Sequence, residues 1–343
     1  RTFPPRNGRG EFMRASGRVV AAIAAASAVA AIAVLAATVG RAENHYPDHP
    51  VVLIVPYGPG GVADVGMRLL GDKLSTRLKQ QFVIENRPGA AGIVAAKAGA
   101  DAAPDGYTLL MTGNNTAIAT ALFKSLPFNV LTDFASVSTA SFFDLLIVTR
   151  AGSPLHTVGD LIKAAQANPG KLNIGTIVPG STQNLAALLF NSTTGIKATV
   201  VTFRTSPDMA NAVLRGDVDV AFEFYAAVHG FLDSQKMAVL ASTGAKRTAY
   251  LPNVPTVIES GIKDYDVASW NGLSVPAKTP KPVIDTLNAA MKAVMPDPDI
   301  QAKAQTMGME MRWSTPEDMT ARLKADIAKW GAVIDRAGIP KRD

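Results

Sequence analysis

Apolar residues follow two rhythms along this chain. Short unbroken runs of β-branched residues alternate with longer stretches in which apolar positions recur every three or four residues. Val51-Val52-Leu53-Ile54-Val55 is the first such run. It predicts a strand buried on both faces, as in a parallel sheet. It ends in Pro56-Tyr57-Gly58-Pro59-Gly60-Gly61, after which Val65, Leu69, Leu70, Leu74 and Leu78 mark a helix over 62–79. Gln81–Glu85 predicts a strand, 92–103 a helix closed by the turn Pro104-Asp105-Gly106, and 107–112 a strand. This β-α-β-α-β order argues for a right-handed parallel layer.

A second unit repeats the rhythm. Strands are expected at 145–149, 171–175, 198–201, 218–222 and 237–241, and helices at 157–167, 181–193 and 206–215. The last third returns to helices at 280–295, 297–307 and 316–337. The final one has Met319, Leu323, Ile327, Trp330 and Ile334 as its core stripe and Thr315-Pro316 as cap and first residue. The expected fold class is α/β, with two lobes, each a mostly parallel sheet flanked by helices. The C-terminal helices are expected to complete the first lobe, so the chain would cross between lobes twice.

The first 42 residues stand apart. Arg1, Arg6, Arg9, Arg14 and Arg18 precede an Ala-rich apolar run, Val19–Val39, followed by Gly40-Arg41-Ala42. That is the pattern of a signal peptide cleaved near Ala42. A retained anchor is the alternative, since 21 residues can span a bilayer, but alanine gains little from lipid. Met13 is the expected natural start, with 1–12 as upstream translation.

Charge changes meaning once this segment is set aside. The 343 residues carry 34 Lys+Arg and 28 Asp+Glu, a formal +6. Six Arg and one Glu lie in residues 1–42, so the remainder has 28 basic and 27 acidic residues, a net +1. A nucleic-acid footprint is therefore not expected. The absence of cysteine excludes disulfides, thiolate metal sites, a Cys nucleophile and a Cys-linked lipid.

Catalytic patterns are scarce. The four histidines are His45, His49, His156 and His229, and there is no H-E-x-x-H, G-x-S-x-G or G-K-[ST]. Gly58-x-Gly60-x-x-Ala63 with Glu85 imitates a dinucleotide fingerprint. Against it, Pro59 removes an amide from the loop, and an exported protein has little access to NAD. No cofactor, metal or enzymatic activity is expected. The loop's physics still suits an anion: Gly60 and Gly61 leave backbone amides uncovered at a helix N-terminus. Pro179-Gly180-Ser181-Thr182 repeats the device in the second unit. From the residues alone, these loops are equally well read as tight turns leading into capped helices.

Several separated motifs, in order, resemble the Bug-type extracytoplasmic solute receptors of tripartite tricarboxylate transporters. They are Pro56-x-x-Pro59-Gly60-Gly61-x-x-Asp64, Glu85-Asn86-Arg87-Pro88-Gly89-Ala90, Ala103-Pro104-Asp105-Gly106-Tyr107-Thr108-Leu109-Leu110, Asn168-Pro169-Gly170-Lys171-Leu172-Asn173, Val254-Pro255-Thr256 and Trp270-Asn271-Gly272-Leu273. The resemblance implies a type II-like periplasmic binding protein with 43–145 and 268–343 as lobe 1 and 146–267 as lobe 2. It implies a monomeric periplasmic receptor that captures a small organic acid and delivers it to membrane permease subunits. A receptor that signals to a histidine-kinase ectodomain is the alternative.

The resemblance also implies the ligand-binding residues. The first-lobe loop supplies Tyr57, Gly60, Gly61, Val62, Ala63 and Asp64, with Asp64 holding the loop or a water. Asn114 and Thr116 match a small polar loop at the cleft edge. The second-lobe loop supplies Gly180, Ser181, Thr182, Gln183 and Asn184. The chain departs from the family at three places. Asn184 stands where His is common, Phe203-Arg204-Thr205 replaces Tyr-Lys-Gly, and Glu223 replaces Asp. Arg204 is suited to bidentate carboxylate binding, with a solvated surface arginine as its alternative. Phe203 walls the ligand or packs. Glu223 disfavours a second ligand carboxylate or accepts from an amide or amine. Trp270, on the return crossing, is expected to pack in the core.

Overall fold

The structure, a computed structural model, describes residues 46–263 and 265–343, and His49–Asp343 is one structural unit. The predicted signal peptide lies outside the described residues. Ten strands join in one sheet built from two halves of matching design around a shared strand. In the first half, β1 (Val51–Val55) lies parallel between β2 (Phe82–Asn86) and β3 (Thr108–Gly113). Its side chains are nearly all buried, as an unbroken Val/Ile/Leu run requires. Strand β9 (Ala268–Pro276) runs antiparallel beside β3, and β4 (Phe134–Arg150) antiparallel beside β9. In the second half, β5 (Asn173–Ile177) lies parallel between β6 (Thr199–Phe203) and β7 (Val220–Phe224). There β4 returns as the antiparallel neighbour of β7 and also pairs with β8 (Met237–Ser242). The fold is the two-lobed α/β arrangement.

Helices cover both halves. They are α1 (Val62–Leu78), α2 (Ile93–Ala100), α3 (Asn114–Leu122), α4 (Val158–Ala167), α5 (Thr182–Thr194), α6 (Ser206–Arg215), α7 (Tyr225–Asp233), α8 (Lys281–Val294), α9 (Pro298–Gln305) and α10 (Pro316–Arg336). Ser181 and Thr315, and with them Thr157 and Thr205, cap their helices: each accepts an amide from the helix's third residue. Among the described residues no helix is long and apolar enough to cross a membrane.

The sequence pattern missed some elements. Strand β4 is 17 residues long, whereas apolar patterning predicted only 145–149. Its first part, with Ser136, Ser138, Thr139 and Ser141, lacks alternation because it is a buried crossing strand whose hydroxyls bond inside the protein. Ser138 and Thr139, for example, donate to the carbonyls of Thr139 and Arg312. β9 is buried at every position and shows no alternation either. Helices α3 and α7 and the two-residue β10 (Glu310–Met311), which pairs with β4, were also not expected. In α1 the deepest face is Met67, Leu70 and Leu74, while Val65 and Leu69 are half-buried. In α10 Ile327 is half-buried, and Asp326 takes the buried place beside Leu323 and Trp330. Its Oδ2 accepts the Nε1–H of fully buried Trp270 at 2.6 Å.

Candidate functional site

The first loop is a clasp. Gly60 has φ +86°, a left-handed conformation that glycine adopts at little cost. Its amide points back along the chain and donates to Asp64 Oδ2 at 2.8 Å. Asp64 is 1% exposed and receives three further bonds. Arg68, one turn on, reaches both oxygens at 3.0 Å, and Asn86 Nδ2 donates to Oδ1 at 2.7 Å. Asn86, at the end of β2, also donates to the Tyr57 carbonyl at 2.9 Å. Burial alone would raise the Asp64 pKa, but hydrogen bonds from Arg68, Asn86 and Gly60 outweigh it and hold it below the ordinary carboxylate range.

The clasp decides which amides face outward. Gly60's is taken by Asp64, whereas the amides of Gly61, Val62 and Ala63 at the start of α1 have no partner among the described residues. No side chain caps this terminus. A Cβ on Gly61 would meet nothing within 4 Å, so the approach is clear. Tyr57 is 38% exposed beside it.

The second loop repeats the clasp with neutral groups. Gly180 has φ +81°, and its amide donates to Asn184 Oδ1 at 3.1 Å. Asn184 Nδ2 reaches Thr176 Oγ1 at 3.4 Å. Ser181 caps α5 by accepting the Asn184 amide at 3.1 Å, and its own amide is bonded to the Val178 carbonyl. A Cβ at Gly180 would approach Leu122 Cδ2 to 2.8 Å, so this contact adds to the left-handed φ in favouring glycine.

Asn114 and Thr116 belong to the first turn of α3, a correction to the polar loop expected there. Asn114 is fully buried and joins three elements. Its Nδ2 donates to Thr182 Oγ1 at 2.8 Å, and its Oδ1 accepts Trp330 Nε1–H at 2.7 Å. Thr116 turns inward, accepting the Gly113 amide at 3.3 Å. Gly113 is itself dictated by contact, because any side chain would collide with the Trp270 carbonyl.

Gln183 and Glu223 meet in the second half. Gln183 Nε2 and the Phe224 amide both donate to Glu223 Oε1, at 2.9 and 2.7 Å. Glu223 is 1% exposed, and burial, countered by hydrogen bonds from Ser206, Phe224 and Gln183, raises its pKa. Phe203 is half-buried and packs on the core under α6. Arg204 is exposed and makes no hydrogen bond or ion pair with the described residues. The structure thus brings together Gly60 with Asp64, Asn114 with Thr182, Gly180 and Ser181 with Asn184, and Gln183 with Glu223.

Arg68, Asn86 and Trp330 were not in the predicted set. Arg68 was signalled by its i+4 spacing from Asp64. Asn86 lies in the Glu85–Ala90 motif, whose sequence carries no sign of its bond to the first loop. Among the described residues no cluster of three or more His, Asp or Glu has metal-holding geometry.

Comparison with known proteins follows the same lines. Residues 67–339 match the family model described as the tripartite tricarboxylate transporter family receptor. A curated Agrobacterium vitis protein from the TAR-I ttuE-ttuC' intergenic region is 30% identical over 303 residues, 88% of each chain. Protein BugT of Bordetella pertussis is 29% identical, over 85% of this chain and 90% of its own. Among solved structures, R. palustris Rpa4515 with adipate aligns at TM-score 0.74 and 31% identity, over 86% of this chain and 99% of the other. MatC from Rhodopseudomonas palustris with bound malate aligns at 0.69 and 27%, over 84% and 100%.

Proposed function

This chain belongs to the tripartite tricarboxylate transporter receptor family, and from that premise we propose that it is a periplasmic receptor for a small organic carboxylate. The observation that carries the proposal is the pair of matched clasps. Each fixes a left-handed glycine four residues ahead of an Asp or Asn, and so presents the start of a helix, where unsatisfied amides and the helix dipole favour an anion. One such terminus contributes about 0.3–1 kcal/mol when exposed and up to about 2 when partly buried. Two converging on one carboxylate, with water excluded, give a grip that needs few charged side chains.

The binding set is Tyr57, Gly61, Val62 and Ala63 on one side and Ser181 and Thr182 on the other. Phe203, Arg204 and Glu223 shape the ligand's far end. Asp64 and Asn184 position the loops, and Gly60 and Gly180 allow their turns. Asn114 and Thr116 support the cleft from α3. Lobe 1 comprises 43–145 and 268–343, and lobe 2 comprises 146–267. Closure of one on the other captures the ligand, which must bind the closed form better than the open one. The receptor then hands the ligand to membrane permease subunits without chemical change. The relatives solved with adipate and malate support a carboxylate ligand.

Calorimetric titration of residues 43–343 with adipate, malate and a panel of mono- and tricarboxylates tests the reading. Stoichiometric binding of at least one carboxylate is expected. A folded protein that binds none of them would overturn it.

A further inference from the structure

A cavity of about 430 Å³ lies where none of Tyr57–Asp64 or Gly180–Asn184 lines it. Its walls are Phe142–Asp144 of β4, the stretch Ala245–Tyr250 after β8, Asp266 and Ala268 at the start of β9, the chain from the end of α9 through β10 to Arg312, and Arg322 of α10. The volume falls in the range of small-molecule sites.

Arg322 lacks a close acceptor, although Asp144, Asp266 and Glu310 also line the cavity. The Arg322 guanidinium lies against Phe142 and Trp270, 4.8 and 5.6 Å from their ring centres. Its Nε is buried without a hydrogen-bond partner among the described residues. Its nearest carboxylate oxygen, Asp326 Oδ2, is 3.9 Å away, beyond hydrogen-bond reach. That oxygen already serves Trp270, and Oδ1 serves Lys329. Arg312 stacks on the same Phe142 ring at 3.8 Å and has only a loose 3.6 Å contact with Glu310. The hydroxyls of Thr248 and Tyr250 are also buried and lie against each other, a pairing that leaves one O–H without an acceptor among the described residues. A guanidinium can only donate, and leaving it unpaired in a buried site is costly. A partner for the buried Arg322 Nε–H would therefore bring an oxygen acceptor, whereas Arg312, half exposed, would meet it from the cavity's rim.

The remaining wall is mixed: Phe143, Met309 and Ala249 form an apolar strip, flanked by Lys246 and Arg247 on one segment and by the carboxylates Asp266 and Glu310. Asp144 would repel an anion, but its pKa is raised to about 7, foremost by burial and then by Asp266 and Glu310, against the opposing pull of Arg312 and Arg322. Near neutrality much of it is protonated.

We propose that this cavity is a second ligand site, for a carboxylate carrying an apolar body of about one ring. Its oxygens sit on Arg322, Arg312 and the Tyr250 hydroxyl, and its body lies against Phe143 and Met309. Because the walls come from the segment after β8 and from α9–β10, a ligand here ties these two parts of the chain together.

Benzoate is the probe, titrated by calorimetry into residues 43–343 and into the variants Gly61→Val, Arg322→Met and Tyr250→Phe. Malate and adipate are titrated into the same four proteins. Benzoate is expected to bind the parent and Gly61→Val alike, about tenfold or more weakly in Arg322→Met, and several-fold more weakly in Tyr250→Phe. Its affinity is expected to rise as pH falls through about 7, because an anion favours the protonated Asp144. Benzoate binding that is lost in Gly61→Val but kept in Arg322→Met would place the ligand at the glycine loops and overturn the proposal. So would no millimolar-range binding by the parent. If Arg322→Met does not fold, Tyr250→Phe decides. Loss of malate or adipate binding in Gly61→Val alone bears on the loop site, so the two proposals fail separately.

Discussion

Asp64 and Asn184 stand in the same place in two different loops. Each lies four residues after a left-handed glycine and accepts that glycine's amide, at 2.8 Å from Gly60 and 3.1 Å from Gly180. One position is charged and held by Arg68, whereas the other is neutral and held by Thr176. The first loop is therefore the one whose integrity depends on pH and on a single carboxylate.

Asp64→Ala orphans the Gly60 amide and frees Asn86 and Arg68, and is expected to cost about 2–3 kcal/mol. Urea denaturation at pH 7.5 measures it, and carboxylate affinity should fall in the same variant. The folded-state pKa of Asp64 is depressed below its ordinary 3.8. Its contribution is therefore complete above about pH 4 and is lost as pH falls through the lower folded value. The stability gap between the parent and Asp64→Ala should narrow below pH 4.

Glu223 has the opposite sign. Its pKa is raised above the ordinary 4.5, chiefly by burial. The folded protein holds its proton longer than the unfolded chain does, so stability is lost as pH rises from about 4.5 to the folded value. Glu223→Gln keeps a carbonyl oxygen for Gln183 and Phe224 and removes the charge. It should melt higher than the parent at pH 7.5, with the difference shrinking at pH 4.5. It should also bind a dicarboxylate several-fold more tightly, which calorimetry reads.

Gly61→Val separates binding from folding. The position has φ −76° and open space around it, so the melting temperature should be unchanged. The branched side chain covers the amides of the α1 terminus, and carboxylate affinity should fall about tenfold or more, by roughly 1.4 kcal/mol. Gly60→Ala is the contrast: at φ +86° it is strained and should lower stability by about 1–2 kcal/mol.

Arg204→Gln should leave stability untouched, since the side chain is exposed and free of partners among the described residues. If the guanidinium meets the ligand on closure, affinity drops about tenfold. Unchanged affinity would make it a solvated surface residue.

The legible parts of the fold were those where burial is one-sided or complete along an apolar run. Val51–Val55 and the α6 and α10 helices have that character. The crossing strands were not legible, because a strand buried on both faces can carry Ser and Thr once every hydroxyl finds a partner inside, as Ser138 and Thr139 do. Helix α3 was hidden by its start, since Asn114 and Thr116 look like loop residues until a buried indole, Trp330, is found to need the asparagine's oxygen. The loops were legible as glycine turns before helices. That Gly60's amide is turned inward was not, because its direction depends on a carboxylate one turn further on and an asparagine on the neighbouring strand.

The position of β9 bears on when this protein can fold. It lies between β3 and β4, yet it is made more than a hundred residues after either. Asn114 likewise waits for Trp330, and β4 waits for Glu310 and Met311. A growing chain that ends before Ala268 has a gap in the first half of its sheet and a buried asparagine with no indole to bond. Such high contact order delays folding until synthesis is nearly finished. For the periplasmic receptor proposed above, which would cross a membrane before it folds, late closure keeps the chain threadable.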